Sequence, residues 1–246
     1  MLYGREREIQ RLVTNLEQGV HTLVFGAAGV GKSALLREAA RRLSSNRDSA
    51  RLAAYASDCG SRKTMLRCAL ESLVPDFQAA VLPGKSSGAK RREILLKDLR
   101  NTLIRISHDR PLCLLLDHLP RIHGRMRHLL EMLEEHCTFA FGVTAARNGY
   151  DLYFYKFDIM EIGCLPRESA HPWIDSELRL MGYKGKLRNS IGIELYRLTG
   201  GNPGSISRTL DVIRLQRAQL DDPIRVRRMI IEGRIGTIAS VPAGQK

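Results

Sequence analysis

The chain has 246 residues and a formal net charge of +13, from 39 Lys and Arg against 26 Asp and Glu, and its 43% hydrophobic content suits one or two folded domains rather than a disordered chain. No apolar run reaches the roughly 20 residues that cross a bilayer, and the opening Met1-Leu2-Tyr3-Gly4-Arg5-Glu6 lacks the apolar core of a secretion signal. Five cysteines without a Cys-x-x-Cys pair argue against a disulfide scaffold or a zinc ribbon, and for reduced thiols in a cytoplasmic protein with no membrane partner.

Taken in order, Glu6 to Leu16 places Ile9, Leu12, Val13 and Leu16 at helical spacing. Val20 to Phe25 reads as a buried strand. Gly26 to Gly31 is too rich in glycine for regular structure, and Ser33 to Leu43 reads as a helix. Arg51 to Ser57 is a second strand, and Ser61 to Leu73 a helix with Pro75 just past its end. The segment from Leu82 to Ala89 carries the signature of a flexible loop. A basic helix follows from Lys90 to Ile106, then an apolar run from Leu112 that ends on Asp117. Arg125 to His136 is a helix, and Thr138 to Thr144 and Phe157 to Ile162 are strands. Beyond Pro166 only helices are expected, over Glu168 to Leu180, Ser190 to Leu198 and Gly204 to Ala218.

This alternation predicts an α/β fold, a parallel sheet flanked by helices, followed by a small C-terminal helical domain. The expected division is a core over residues 1–163, a helical lid over 164–222 and a basic tail over 223–246.

The strongest chemical signal is Gly26-Ala27-Ala28-Gly29-Val30-Gly31-Lys32-Ser33, with Ala34 opening the helix, a full match to the phosphate-loop pattern. It lies between a strand and a helix, where backbone N–H groups and the helix dipole both favour phosphate. Lys32 is expected to reach the β- and γ-phosphates of ATP or ADP, and Ser33 to ligate Mg²⁺. Asp117, at the end of an apolar strand, is the expected second holder of the metal, acting through water.

The opening Leu2-Tyr3-Gly4-Arg5-Glu6 box resembles that of AAA+ ATPases of the Orc/Cdc6-like and STAND (signal-transduction NTPase) kind. Leu114-Leu-Leu-Asp-His resembles their Walker B strand, Val143-Thr144-Ala-Ala-Arg147 their sensor 1, and Thr199-Gly-Gly-Asn-Pro203 their lid motif. The resemblance covers about residues 2 to 215. It implies a P-loop NTPase with Tyr3, Gly4 and Arg5 against the base and Pro203 touching the nucleotide from the lid. Thr144 and Arg147 both qualify as sensor 1. Arg208 matches sensor 2 loosely, and Arg121, Arg125 and Arg127 could reach a neighbouring subunit's phosphate.

One departure bears on activity. Relatives carry an acid directly after the Walker B Asp to polarise the attacking water. Here His118 stands in its place, and an imidazole does not reproduce a carboxylate's charge. The expectation is tight ATP binding with slow hydrolysis, in a nucleotide-dependent conformational or assembly switch that self-associates with ATP bound. Two alternatives stand beside it. One is an ATP-dependent, nonspecific DNA-binding ATPase of the transposition-associated type, served by basic clusters at Lys85 to Arg110, Lys184 to Arg188 and Arg225 to Arg234. The other is a scaffold that binds nucleotide for stability alone. The tail is too short for an effector domain, so the effector is expected to be either missing from the module or supplied by a separate effector chain.

Overall fold

Five strands form one fully parallel sheet in a computed structural model that describes residues 3–46, 51–74, 95–119, 122, 124–144, 152–215 and 228. They are β1 (Thr22–Gly26), β2 (Leu52–Ala56), β3 (Leu112–Leu116), β4 (Cys137–Thr144) and β5 (Asp158–Glu161), in the spatial order β2-β3-β4-β1-β5. The helices are α1 (Glu6–Glu17), α2 (Lys32–Ser45), α3 (Arg62–Leu73), α4 (Leu96–Asp109), α5 (Gly124–Glu134), α6 (Arg167–Leu180), α7 (Gly185–Thr199) and α8 (Pro203–Leu215). A 3₁₀ turn over Leu152–Lys156 leads into β5.

The strands are apolar on both faces because both faces are covered. Successive side chains point to opposite sides. Leu112, Leu114, Leu116, Phe139 and Phe141 pack with α3, α4 and α5, whereas Cys113, Leu115, Ala140 and Val24 pack with α1 and α2. Burying one leucine such as Leu114 or Leu115 contributes roughly 2 kcal/mol. Helix α1 docks through Ile9, Leu12, Val13 and Leu16, the four positions that its spacing singles out.

Beyond β5, α6 to α8 have an apolar centre of their own, including Leu165, Ala170, Ile174, Leu178, Leu195, Ile206 and Leu210. Helix α7 starts at Gly185, earlier than the pattern indicates. Its first turn is polar in sequence, but Arg188 lies 2.6 Å from the Asp175 carboxylate on α6, a tertiary contact that periodicity does not register. Pro203 opens α8, where its missing N–H costs nothing. The expected loop from Leu82 and the tail from Pro223 lie outside the described residues, apart from a helical Arg228.

The strand order decides where the site falls. β4 lies between β1 and β3, so the carboxyl ends of the three strands are neighbours. Gly26 at the end of β1 is in register with Thr144 at the end of β4. Open parallel sheets bind ligands at this edge.

Candidate functional site

The glycines of the phosphate loop have the conformations their positions demand. Gly29 and Gly31 sit at φ +80° and +101°, in the left-handed region that glycine enters without a steric penalty. Gly31 precedes α2 and offers no side chain to cap it, so the first N–H groups of α2 face the loop without a side-chain acceptor. Lys32 is buried, and its Nζ donates to the carbonyls of Gly26 and Ala27, both at 2.8 Å. Burial pushes the Lys32 ammonium below its usual range, and the nearby Asp117 charge opposes that shift. Val30 is buried beneath the loop, while Ser33 and Ala34 are half-buried at its end.

Asp117 directly follows β3 and is only 2% exposed. Its Oδ1 accepts the His118 N–H at 2.9 Å, and its Oδ2 accepts the Tyr55 hydroxyl at 3.0 Å. Burial, with the Asp117 charge, raises the Tyr55 hydroxyl to about 12, so it stays a donor. Burial likewise pushes the neighbouring Cys59 thiol well up, which leaves it protonated. Gly142 on β4 makes the room: a Cβ there would meet Asp117 Oδ1 at 2.9 Å. His118 has φ 51°, a conformation costly for a non-glycine residue. Its side chain is exposed, and its Nε2 lies 3.6 Å from Asp117 Oδ2. Thr144 is half-buried at the end of β4 and lines the same cavity. Arg147 and Arg121 lie outside the described residues.

The opening box closes the other side. Arg5 is buried, pairs with Glu8 at 2.8 Å, and donates to the carbonyls of Val30 and Gly163. It therefore joins the N-terminus to the phosphate loop and to the start of the helical region. Gly4 packs directly on α6, where a Cβ would fall 2.3 Å from Ser169 Cβ. Tyr3 stacks on Trp173 of α6, with ring centroids 5.9 Å apart and planes 14° from parallel. Pro203 and Gly204 lie across the phosphate loop: Gly204 N–H donates to Gly29 O at 2.8 Å, and Asn202 Nδ2 donates to Ala28 O at 2.9 Å. Arg208 is spent on its own helix, donating to Gly204 O at 3.1 Å, and Arg127 pairs with Glu131 at 2.8 Å.

The phosphate loop, Asp117, Thr144, Tyr3, Arg5, Pro203 and Gly204 together wall one cavity of about 1090 Å³, slightly above the usual size for a small-molecule site. Of the residues expected from sequence, Tyr3, Arg5, Ala28 to Ala34, Asp117, His118, Thr144 and Pro203 line it. Gly4, Gly26 and Ala27 do not line it: Gly4 packs on Ser169 of α6, and the Gly26 and Ala27 carbonyls accept Lys32 Nζ. Sequence reasoning missed Trp173, Asn202, Tyr55 and Gly142. Asn202 lay inside the quoted lid motif, whereas the other three carry no local signal.

The geometry is that of a P-loop NTPase. The AAA ATPase domain family matches residues 1–137, more than half of the chain, and the protein belongs to that family. No curated protein sequence matches it. Solved structures share the fold at low identity. A chain of Drosophila ORC bound to DNA matches with TM-score 0.54 and 14% identity, over 98% of this chain and 69% of that one. A chain of the E. coli MS115-1 HORMA:CdnC:Trip13 complex gives 0.58 and 12%, over 94% and 89%. C. elegans PCH-2 gives 0.59 and 10%, over 94% and 67%.

Proposed function

We propose that the chain is a Mg-ATP-binding module that works as a slow, nucleotide-dependent conformational or assembly switch. On this reading residues 1–163 are the nucleotide core, 164–222 the lid and 223–246 a basic tail. The loop N–H groups and Lys32 take the β- and γ-phosphates. Tyr3 and Arg5 lie on the base side, and Pro203 closes from the lid. The Ser33 hydroxyl and the Asp117 carboxylate form an all-oxygen donor set, which suits Mg²⁺, and the space beside Gly142 lets that carboxylate sit at the sheet edge. Bound there, Mg²⁺ would neutralise phosphate charge. His118 gives the attacking water a weaker partner than a carboxylate, so hydrolysis is slow.

The observation that carries the switch is the pair of hydrogen bonds from Asn202 and Gly204 to the phosphate loop. A lid bonded to the very backbone that wraps phosphate feels any change of that backbone. Size-exclusion profiles and thermal midpoints with ATP, ADP and no nucleotide test this. ATP is expected to stabilise the chain and to change its elution relative to ADP. Equal stabilisation with unchanged elution would favour the scaffold, and no stabilisation would refute nucleotide binding.

A second reading, nonspecific DNA binding, is favoured by one feature. A cleft of about 410 Å³ is lined by Arg62, Lys97, Arg100, Arg125 and His128 over a leucine and methionine floor, and none of the described residues that line it is a carboxylate. Arg62, Lys97 and Arg125 lie in the first turns of α3, α4 and α5, whose dipoles add positive potential. The expected result is a salt-sensitive, ATP-stimulated shift of random duplex DNA that Arg62→Glu with Arg125→Glu weakens. A shift unchanged in that variant would remove this reading.

A further inference from the structure

Tyr55 belongs to no phosphate-loop motif, yet it holds the carboxylate on which the metal site depends. It sits on β2 opposite Leu115 of β3, and Asp117 lies two residues beyond Leu115. Two residues along a strand return to the same face. Tyr55, Leu115 and Asp117 are therefore all on the side covered by α2, the helix that begins at the phosphate loop.

Asp117 is nearly sealed by the protein, so the protein groups that bond its oxygens set its orientation. One hydrogen bond comes from the adjoining His118 N–H to Oδ1, and a main-chain donor to one oxygen leaves the other free to swing. The second comes from Tyr55, on a different strand, to Oδ2. Two donors from two directions fix the carboxylate plane. Each oxygen keeps acceptor capacity for a metal-bound water.

The tyrosine is itself held from both sides. Ser72 Oγ on α3 accepts its backbone N–H at 2.9 Å. The Arg37 guanidinium on α2 lies 5.7 Å from its ring centroid, a cation–π distance. Arg37 is one turn beyond Ser33 on the same helix face. Contacts thus run from Arg37, on the helix that carries Ser33, through Tyr55 to Asp117. A phenylalanine would fill the ring site equally well but leave Oδ2 without this donor.

We propose that Tyr55 is a positioning residue for the metal-holding carboxylate, fixing the orientation of Asp117, with Arg37 holding its ring in place. The inference rests on the Mg-ATP reading above. Outer-sphere partners of metal-holding groups typically govern metal affinity by tenfold or more.

The test is calorimetric titration of ATP into the full chain and into Tyr55→Phe, in EDTA and across a Mg²⁺ series. The variant should bind ATP in EDTA as the parent does, while the Mg²⁺ concentration at half-maximal gain in affinity rises about tenfold. A half-maximal Mg²⁺ concentration equal to the parent's overturns the inference, as does an equal loss of affinity in both arms, which marks a merely structural tyrosine. A parent chain without Mg²⁺-dependent ATP binding overturns the function reading and this inference together. Parent binding with an unshifted variant overturns this inference alone.

Discussion

Asn202 does two jobs that can be separated by substitution. Its Oδ1 accepts the Ser205 N–H at 3.1 Å and caps α8, while its Nδ2 donates to Ala28 O at 2.9 Å and ties α8 to the phosphate loop. Asn202→Ala removes both. The cap contributes about 1 kcal/mol, and the tether, which is solvent-exposed, about 0.5 kcal/mol at the low end for a neutral hydrogen bond. Asn202→Ser keeps a good capping oxygen but is too short to reach Ala28, so it removes the tether alone. Urea unfolding without nucleotide should show a loss of about 1.5 kcal/mol for Ala and about 0.5 kcal/mol for Ser. Cleavage between β5 and α8 by dilute protease should quicken in both variants by a similar factor, because both lose the tether. Serine behaving as the parent in the protease assay would refute the tether. Serine losing as much stability as alanine would refute the capping role.

His118→Glu restores a carboxylate beside Asp117 and should raise ATP turnover at least about tenfold, measured by phosphate release; vigorous turnover in the parent, retained in His118→Ala, would contradict the account of slow hydrolysis. Stability should also depend on pH through His21. Its Nδ1 accepts the Phe139 N–H at 3.0 Å, and burial lowers its pKa from the ordinary 6.5, with Glu134 opposing and Lys156 assisting. The unfolded chain therefore takes up this proton before the folded one does. The His21 contribution is full above about pH 6.5 and is lost as pH falls through the lower folded value, at no more than about 1.4 kcal/mol per pH unit. Denaturant midpoints between pH 5 and 7 should show this slope, and His21→Asn should flatten it; identical slopes would contradict it.

The phosphate loop was legible because its parts are contiguous, and their chemistry needs glycines and a lysine at fixed offsets. Asp117 was legible because an apolar run that stops on a carboxylate marks a strand leaving the core. The partners of these residues were not. Tyr55 meets Asp117 from 62 positions away, and Asn202 meets Ala28 from 174. Nothing local to either residue announces its partner. Gly142 reads as an ordinary strand glycine until the Asp117 carboxylate is placed against it. The early start of α7 escaped notice for the same reason, since Arg188 gains its place from Asp175 on another helix. The large positive charge was the least informative feature: the nucleotide site engages few of the cations, and Arg5, Arg41 and Arg127 are paired with glutamates.

The chain has a single tryptophan, Trp173, on helix α6, half-buried at the cavity wall and stacked on Tyr3. Its fluorescence reports whether nucleotide enters and whether the lid responds. With Mg²⁺ present, ATP and ADP should each change the emission and reach different end-points, and Lys32→Ala should weaken both changes. The same emission with ATP, with ADP and without nucleotide would contradict the account of a lid that reads the phosphate loop.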